Sequence, residues 1–202
     1  MLFRSTLRFI NDHTEGLSLG RPTPRAHVAD NDLAVGLFIE YLSHAAIWNS
    51  SVVFILEDVA QNGPDHVDAH RSPVYLAGGF VKRGFVDHTM YSTSSVLRTI
   101  ELILGLPPMS QYDAAAEPLY RCFSNVPDSA RFYALPASTD LTEKNVQVSK
   151  YSLMSQQFDF TKEDRAPDLL LNTVIWKSVK GLHADLPAPR RSAFIQSVNE
   201  KE

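Results

Sequence analysis

Apolar positions mark out the elements of this chain before anything else does. From Asp30 onward, Ala34, Leu37, Phe38, Tyr41, Leu42 and Ala45 recur on one helical face, and Asp30 or Asp32 can cap the start. The spacing predicts a helix that ends between Ser43 and Ala46. Ahead of it, Asn11, Asp12, Gly16, Gly20, Pro22 and Pro24 break any regular period, which predicts a loop over 11–30. Val52-Val53-Phe54-Ile55-Leu56 is apolar without alternation, the pattern of a strand covered on both faces, and Val74-Tyr75-Leu76-Ala77 reads as a second strand. From Thr93, the stripe Val96, Leu97, Ile100, Ile103 and Leu104 predicts a helix closed by Gly105 and Pro107. Beyond Pro108, prolines 118, 127, 136, 167, 187 and 189 cut the chain into an extended wrap. That wrap holds one well-signalled helix, from Pro167 to Gly181. The order of elements predicts an α/β fold with a mixed, mostly parallel sheet and a proline-rich C-terminal extension over 111–202.

Composition narrows the partners. The chain has 202 residues, 44% hydrophobic and 21% charged, with a net charge of −4. Such a chain can bury a sizeable core. No global positive field attracts nucleic acid, and Lys82, Arg83 and Arg98 are too scattered to form a basic stripe. The single cysteine, Cys122, has no partner for an internal disulfide and no zinc-knuckle spacing. No apolar stretch approaches the roughly twenty residues needed to span a bilayer. Arg4 and Arg8 interrupt the start where an export signal needs an apolar run. Leu2, Leu7, Phe9 and Ile10 follow with no polar leader, so the chain reads as entered partway through a domain.

The densest chemistry lies at 57–70, EDVAQNGPDHVDAH, where Glu57, Asp58, Asp65, His66, Asp68 and His70 gather with no cation before Arg71. So much acid in one loop is unfavourable unless a positive charge sits among it. Asp58 also follows a buried strand, where ligand sites form in open α/β sheets. Carboxylates with imidazoles suit zinc, manganese or iron, and a carboxylate subset suits calcium or magnesium. The competing reading is a solvated loop in which Asn62, Gly63 and Pro64 turn the chain and Asp65 and Asp68 cap backbone amides. Asp12-His13-Thr14-Glu15 forms a second cluster, able to close on the same site or simply to make an Asx turn. His27, His44 and His183 lack partners at ligand spacing and read as surface or satisfied structural residues. His88 stands beside Asp87 before YSTSS, a helix start that serves either to face a phosphate or to be capped by a hydroxyl.

NDHTEG at 11–16, ADNDLAVG at 29–36, the strand into EDVAQNGPDHVDAHRSP at 51–73, and KRGFVDHTMYSTSSVLRTIELILGLPPMSQYDAAA at 82–116 resemble the alkaline-phosphatase-like phosphoesterases, in the bacterial branch of phospholipase C and acid phosphatase. LLLNTVIWKSVKG at 169–181 resembles them more faintly. The resemblance implies a hydrolase of phosphoric ester bonds. It would hold a divalent metal (zinc, manganese or calcium) and act on a phosphate-ester small molecule or a phospholipid head group. It implies Asp58 as the first strand-end ligand, His70 as the following histidine with His66 competing, and Asp12 and His13 as a further ligand and a phosphate-contacting catalytic imidazole. Relatives are commonly exported. Two departures stand out. Val59 occupies the place of a second acid, and no segment like the family's N-terminal ligand and nucleophile region precedes residue 11. The chain therefore resembles the later half of such a catalytic domain, with 1–110 as the core portion, and turnover by it alone should be weak. The alternative expectation is a non-catalytic remnant that serves as an interaction module. A partial sheet should also expose an edge and apolar surface, which predicts pairing with the missing half or self-association.

Overall fold

The computed structural model describes residues 4–10, 13–57, 64–65, 68, 70–162, 165–188 and 191–192. The chain is a mixed α/β protein with elements in the order α1 (Pro24–His44), β1 (Val52–Leu56), β2 (Pro64–Asp65), β3 (Val74–Gly78), α2 (Thr93–Leu104), α3 (Gln111–Ala114), α4 (Lys150–Ser155), α5 (Asp168–Lys180) and β4 (Arg191–Ser192). Short 3-10 turns lie at Trp48–Ser50 and Tyr120–Cys122. Two compact units divide the chain. One comprises Met1–Leu7, Phe38–Leu56 and Val74–Tyr133; the other comprises Arg8–Leu37, Glu57–Pro73 and Ala134–Glu202.

The first unit is built on β1 and β3, which pair antiparallel with Phe54 opposite Leu76 and Ile55 opposite Tyr75. Val96, Leu119 and Cys122 form its buried cluster, and Phe54, Leu76, Tyr91, Ile100 and Phe123 pack against it. Val96 and Ile100 of α2 are thus spent on the strand pair, whereas Ile103 of the same stripe is exposed. Ser92 starts α2, its N–H donating to Ser95 Oγ at 3.2 Å, and Gly105 ends it in the left-handed conformation at φ 68°. After Gly79 the chain runs beside 122–128. Lys82 N–H donates to Cys122 O at 2.9 Å, and Ser124 N–H donates to Phe80 O at 2.8 Å. Gly78, at φ 156°, leaves no room for a side chain, since a Cβ would lie 2.3 Å from Ser51 O.

The second unit is held mainly by polar side chains. Asn145, 5% exposed, donates from Nδ2 to Gly16 O, Ser18 O and Pro22 O at 3.1–3.2 Å, which gathers the 16–22 loop around one amide. Gly20 N–H and Asn145 O close the same junction at 2.8 Å. Ser155, fully buried, accepts from Leu17 N–H at 3.0 Å, and Val174 of α5 is buried beside Gly16. β2 and β4 pair antiparallel in this unit.

Three expectations need correction. The sheet is not mostly parallel: among the described residues both sheets are two-stranded and antiparallel, and no alkaline-phosphatase-like core is seen. A continuous apolar run reports how a strand's faces are covered, whereas its direction depends on the connection, and no crossover helix is described between β1 and β3. α1 begins at Pro24, inside the expected loop. Thr23 Oγ1 accepts from Ala26 N–H at 3.1 Å, and a proline in the first turn loses no hydrogen bond, so a Thr-Pro start precedes the aspartate signal. The C-terminal stretch carries α3 and α4 as well as α5, because Ser110 and Ser149 cap short turns that have no long apolar period.

Candidate functional site

Of the residues singled out in sequence, Asp12, Asp58 and His66, with Val59, lie outside the described residues. His13 is exposed, and its backbone N–H donates to Ile10 O at 3.2 Å. His70 belongs to a turn at 68–71, which Arg71 N–H closes on Asp68 O at 3.1 Å. Within that turn Asp68 Oδ1 accepts twice from His70, from the backbone N–H at 3.1 Å and from Nδ1 at 2.9 Å. An ionised carboxylate only accepts, so Nδ1 carries the proton. The free lone pair of the neutral ring is then on Nε2. The imidazole is 65% exposed and the Asp68 carboxylate 22%, which leaves the ring open to a ligand while its orientation is fixed from behind.

This is the arrangement that tunes metal-bound histidines, a carboxylate holding one ring nitrogen and a ligand taking the other. It also fulfils the reading of Asp68 as a residue that caps a backbone amide. Among the described residues no three His, Cys, Asp or Glu side chains come together as a metal site, and His13 and His70 belong to no such group. Asp68 was visible in sequence as one acid of a crowded loop. Its spacing of two residues from His70 was the signal for the side-chain bond.

A second polar network, missed in sequence, lies in the first unit. Asp87 Oδ1 accepts from Thr89 N–H at 3.0 Å, and Oδ2 accepts from Tyr91 Oη at 2.8 Å and from the Cys122 thiol at 3.8 Å. Arg121 donates to Thr89 Oγ1 at 3.1 Å. Thr89, through its backbone N–H and its hydroxyl, is the main cause that holds the Asp87 carboxyl down to about 2. Burial and the bond to Asp87 push the Tyr91 phenol up to about 12. Burial, then Asp87, raises the Cys122 thiol, which makes it a poor nucleophile at neutral pH. His88, next to Asp87, is exposed, and Ser92 with Ser95 caps α2, as the hydroxyl reading anticipated. The network anchors the 87–92 segment to Cys122.

Two further carboxylates are buried in the same unit. Asp113, 1% exposed, accepts from Met109 N–H at 2.7 Å and from the Ser110 hydroxyl. These bonds, the Ser110 hydroxyl foremost, hold its carboxyl near 2. Glu101, 2% exposed, lies 3.4 Å from Arg98. The Ser-x-x-Asp spacing of 110–113 was the available signal for the first of these. Asp113 closes the turn that starts α3 and Glu101 pairs within α2, and neither carboxylate is open to solvent.

His44 is exposed and bonded through Nδ1 to Glu40 O at 2.8 Å, as a structural residue. His183 is exposed, as expected of a surface residue. His27 departs from its expectation. Its Nε2 is buried without a hydrogen-bond partner among the described residues. Among the described residues, no helix is long and apolar enough to cross a membrane. Comparison with protein-family models, curated proteins and solved structures finds no match to this chain.

Proposed function

We propose that the chain is part of a metal-dependent hydrolase of phosphoric ester bonds, of the alkaline-phosphatase-like kind, whose ligand loop is 57–73. The single observation that carries this reading is the Asp68–His70 pair, an imidazole oriented by a carboxylate with its other nitrogen open to solvent. The acidic sequence around it supports the same reading, and Asp58, His66 and Asp12 are the further ligands by resemblance, with His13 contacting the phosphate. The donor set of imidazoles and carboxylates suits zinc or manganese. When bound, such a cation neutralises charge on the ester phosphate. His70 supplies Nε2, and Asp68 keeps the ring in the tautomer that makes Nε2 available. The substrate class is a phosphate-ester small molecule or a phospholipid head group.

Equilibrium dialysis of the folded chain against zinc and against manganese tests this. Retention of metal is expected, lowered at least tenfold by His70→Ala and about tenfold by Asp68→Asn. A folded chain that retains neither metal removes the proposal. Turnover of an aryl phosphate by this chain alone should be weak, because attack needs nucleophile and metal held in one site.

The alternative reading is an interaction module without catalysis, and one observation favours it. Among the described residues, exposed large apolar side chains such as Tyr41, Met90, Leu135 and Val146 outnumber the fully buried hydrophobic ones. Metal retention that depends on His70 decides for the hydrolase.

A further inference from the structure

We infer that the open edge of β1 pairs with the same edge of a second copy of this chain, antiparallel and with Phe54 at the two-fold axis. The inference does not depend on any metal chemistry. Among the described residues β1 pairs with β3 and with no other strand. A strand in a sheet has two edges, so one edge keeps a row of unpaired backbone donors and acceptors. Natural edges are blunted by lysine, proline, a bulge or an inward charge. Val52-Val53-Phe54-Ile55-Leu56 carries none of these. Its residues are all partly exposed, Leu56 to 40%. It is a central strand by composition and an edge strand by position.

The sequence about Phe54 selects a second copy in one orientation. Antiparallel pairing centred there sets Val52 against Leu56, Val53 against Ile55, and Phe54 against Phe54. These are the aliphatic and aromatic cross-strand pairs that stabilise sheets. It also sets Ser51 opposite Glu57, so no like charges meet. Parallel pairing in register would instead place Glu57 on Glu57, a like-charge pair that costs stability. Because the interface is isologous it closes as a dimer. An edge of five residues buries less than the roughly 800 Å² per partner of a stable complex, so the dimer is weak and concentration-dependent.

Sedimentation equilibrium over rising concentration tests the association. The mass should climb from 22.6 kDa toward twice that value. Ile55→Lys puts a charge on the strand at a position whose neighbours Phe54 and Leu56 flank it, and should weaken the dimer at least tenfold. Tyr75→Lys, on β3 and 64% exposed, should leave it unchanged. Circular dichroism confirms that each variant is folded. Ser51→Cys and Glu57→Cys chains, mixed under a mild thiol oxidant, should cross-link to each other, while neither cross-links alone and the unmodified chain, with Cys122 buried, serves as control. A mass that stays at 22.6 kDa overturns the inference, including the case in which β1 awaits a strand of a different polypeptide. Cross-linking of Ser51→Cys alone overturns the register. Equal loss of association in Tyr75→Lys assigns it to general apolar surface instead.

Discussion

Asn145 shows how much one side chain can carry. Its amide nitrogen faces three carbonyl oxygens, of Gly16, Ser18 and Pro22, and the side chain is nearly closed to water. Asn145→Asp keeps the shape and replaces the donor with an acceptor, so the carbonyls would face a carboxylate. The change should destabilise the fold by about 3 kcal/mol or more, measured by urea unfolding. Gly16 lies in the same junction at φ 61°, and a Cβ there would meet Ser155 Oγ at 2.9 Å and Val174 Cγ1 at 3.0 Å. Nothing in the spacing of Asn145 marked it in sequence, because its partners lie over a hundred residues away. Asp87 sets a pH dependence. Its folded carboxyl titrates at about 2 against an ordinary 3.8, so its network contributes stability above about pH 4 that is lost as pH falls through about 2. Asp87→Asn should flatten the acid limb of the stability curve in that window, as followed by thermal unfolding from pH 5 to 2. Asp68, by contrast, was legible as a cap of a backbone amide, because a bond between residues two apart needs only local geometry; its side-chain bond to His70 Nδ1 was not read.

At the scale of elements, the ends of helices were better written than their companions in space. Ser92, Ser95 and Gly105 delimit α2 where the sequence reading puts it. α1 starts earlier because Thr23 and Pro24 form a start of their own. Thr23 Oγ1 also donates to Glu143 Oε2 at 2.8 Å, so one hydroxyl both caps α1 and ties it to the later chain. Thr23→Ala should cost about 1 kcal/mol in the same unfolding measurement, and Thr23→Ser should restore most of it. The strands were correctly placed and wrongly directed. Val52–Leu56 forms β1 as the apolar run required, yet β3 lies antiparallel to it. The run encodes which faces seek cover; it holds no record of which way the neighbour travels.

Among the described residues, few hydrophobic side chains are fully covered: Ile39, Trp48, Val81, Val96, Leu119 and Cys122 in the first unit, Ala26 and Val174 in the second. Val174 is fully buried, so Val174→Ala should lower stability by about 2 kcal/mol, from two methylene equivalents and the space they leave. That loss should appear as a shifted denaturation midpoint with an unchanged slope. The amino-acid sequence by itself determined the strand β1, the helices α2 and α5, the helical cap signals and the crowding of acid at 57–70, since each depends on residues within a few positions of one another. It also concentrates acidic and histidine side chains at 57–70, on which the proposed ligand chemistry rests. Tertiary structure alone decided the antiparallel sense of the strands, the division into two units, and the long-range bonds of Asn145 and of Asp87 to Cys122. Those depend on which distant groups meet once backbone entropy has been overcome, and a periodic pattern along the chain carries no information about that meeting.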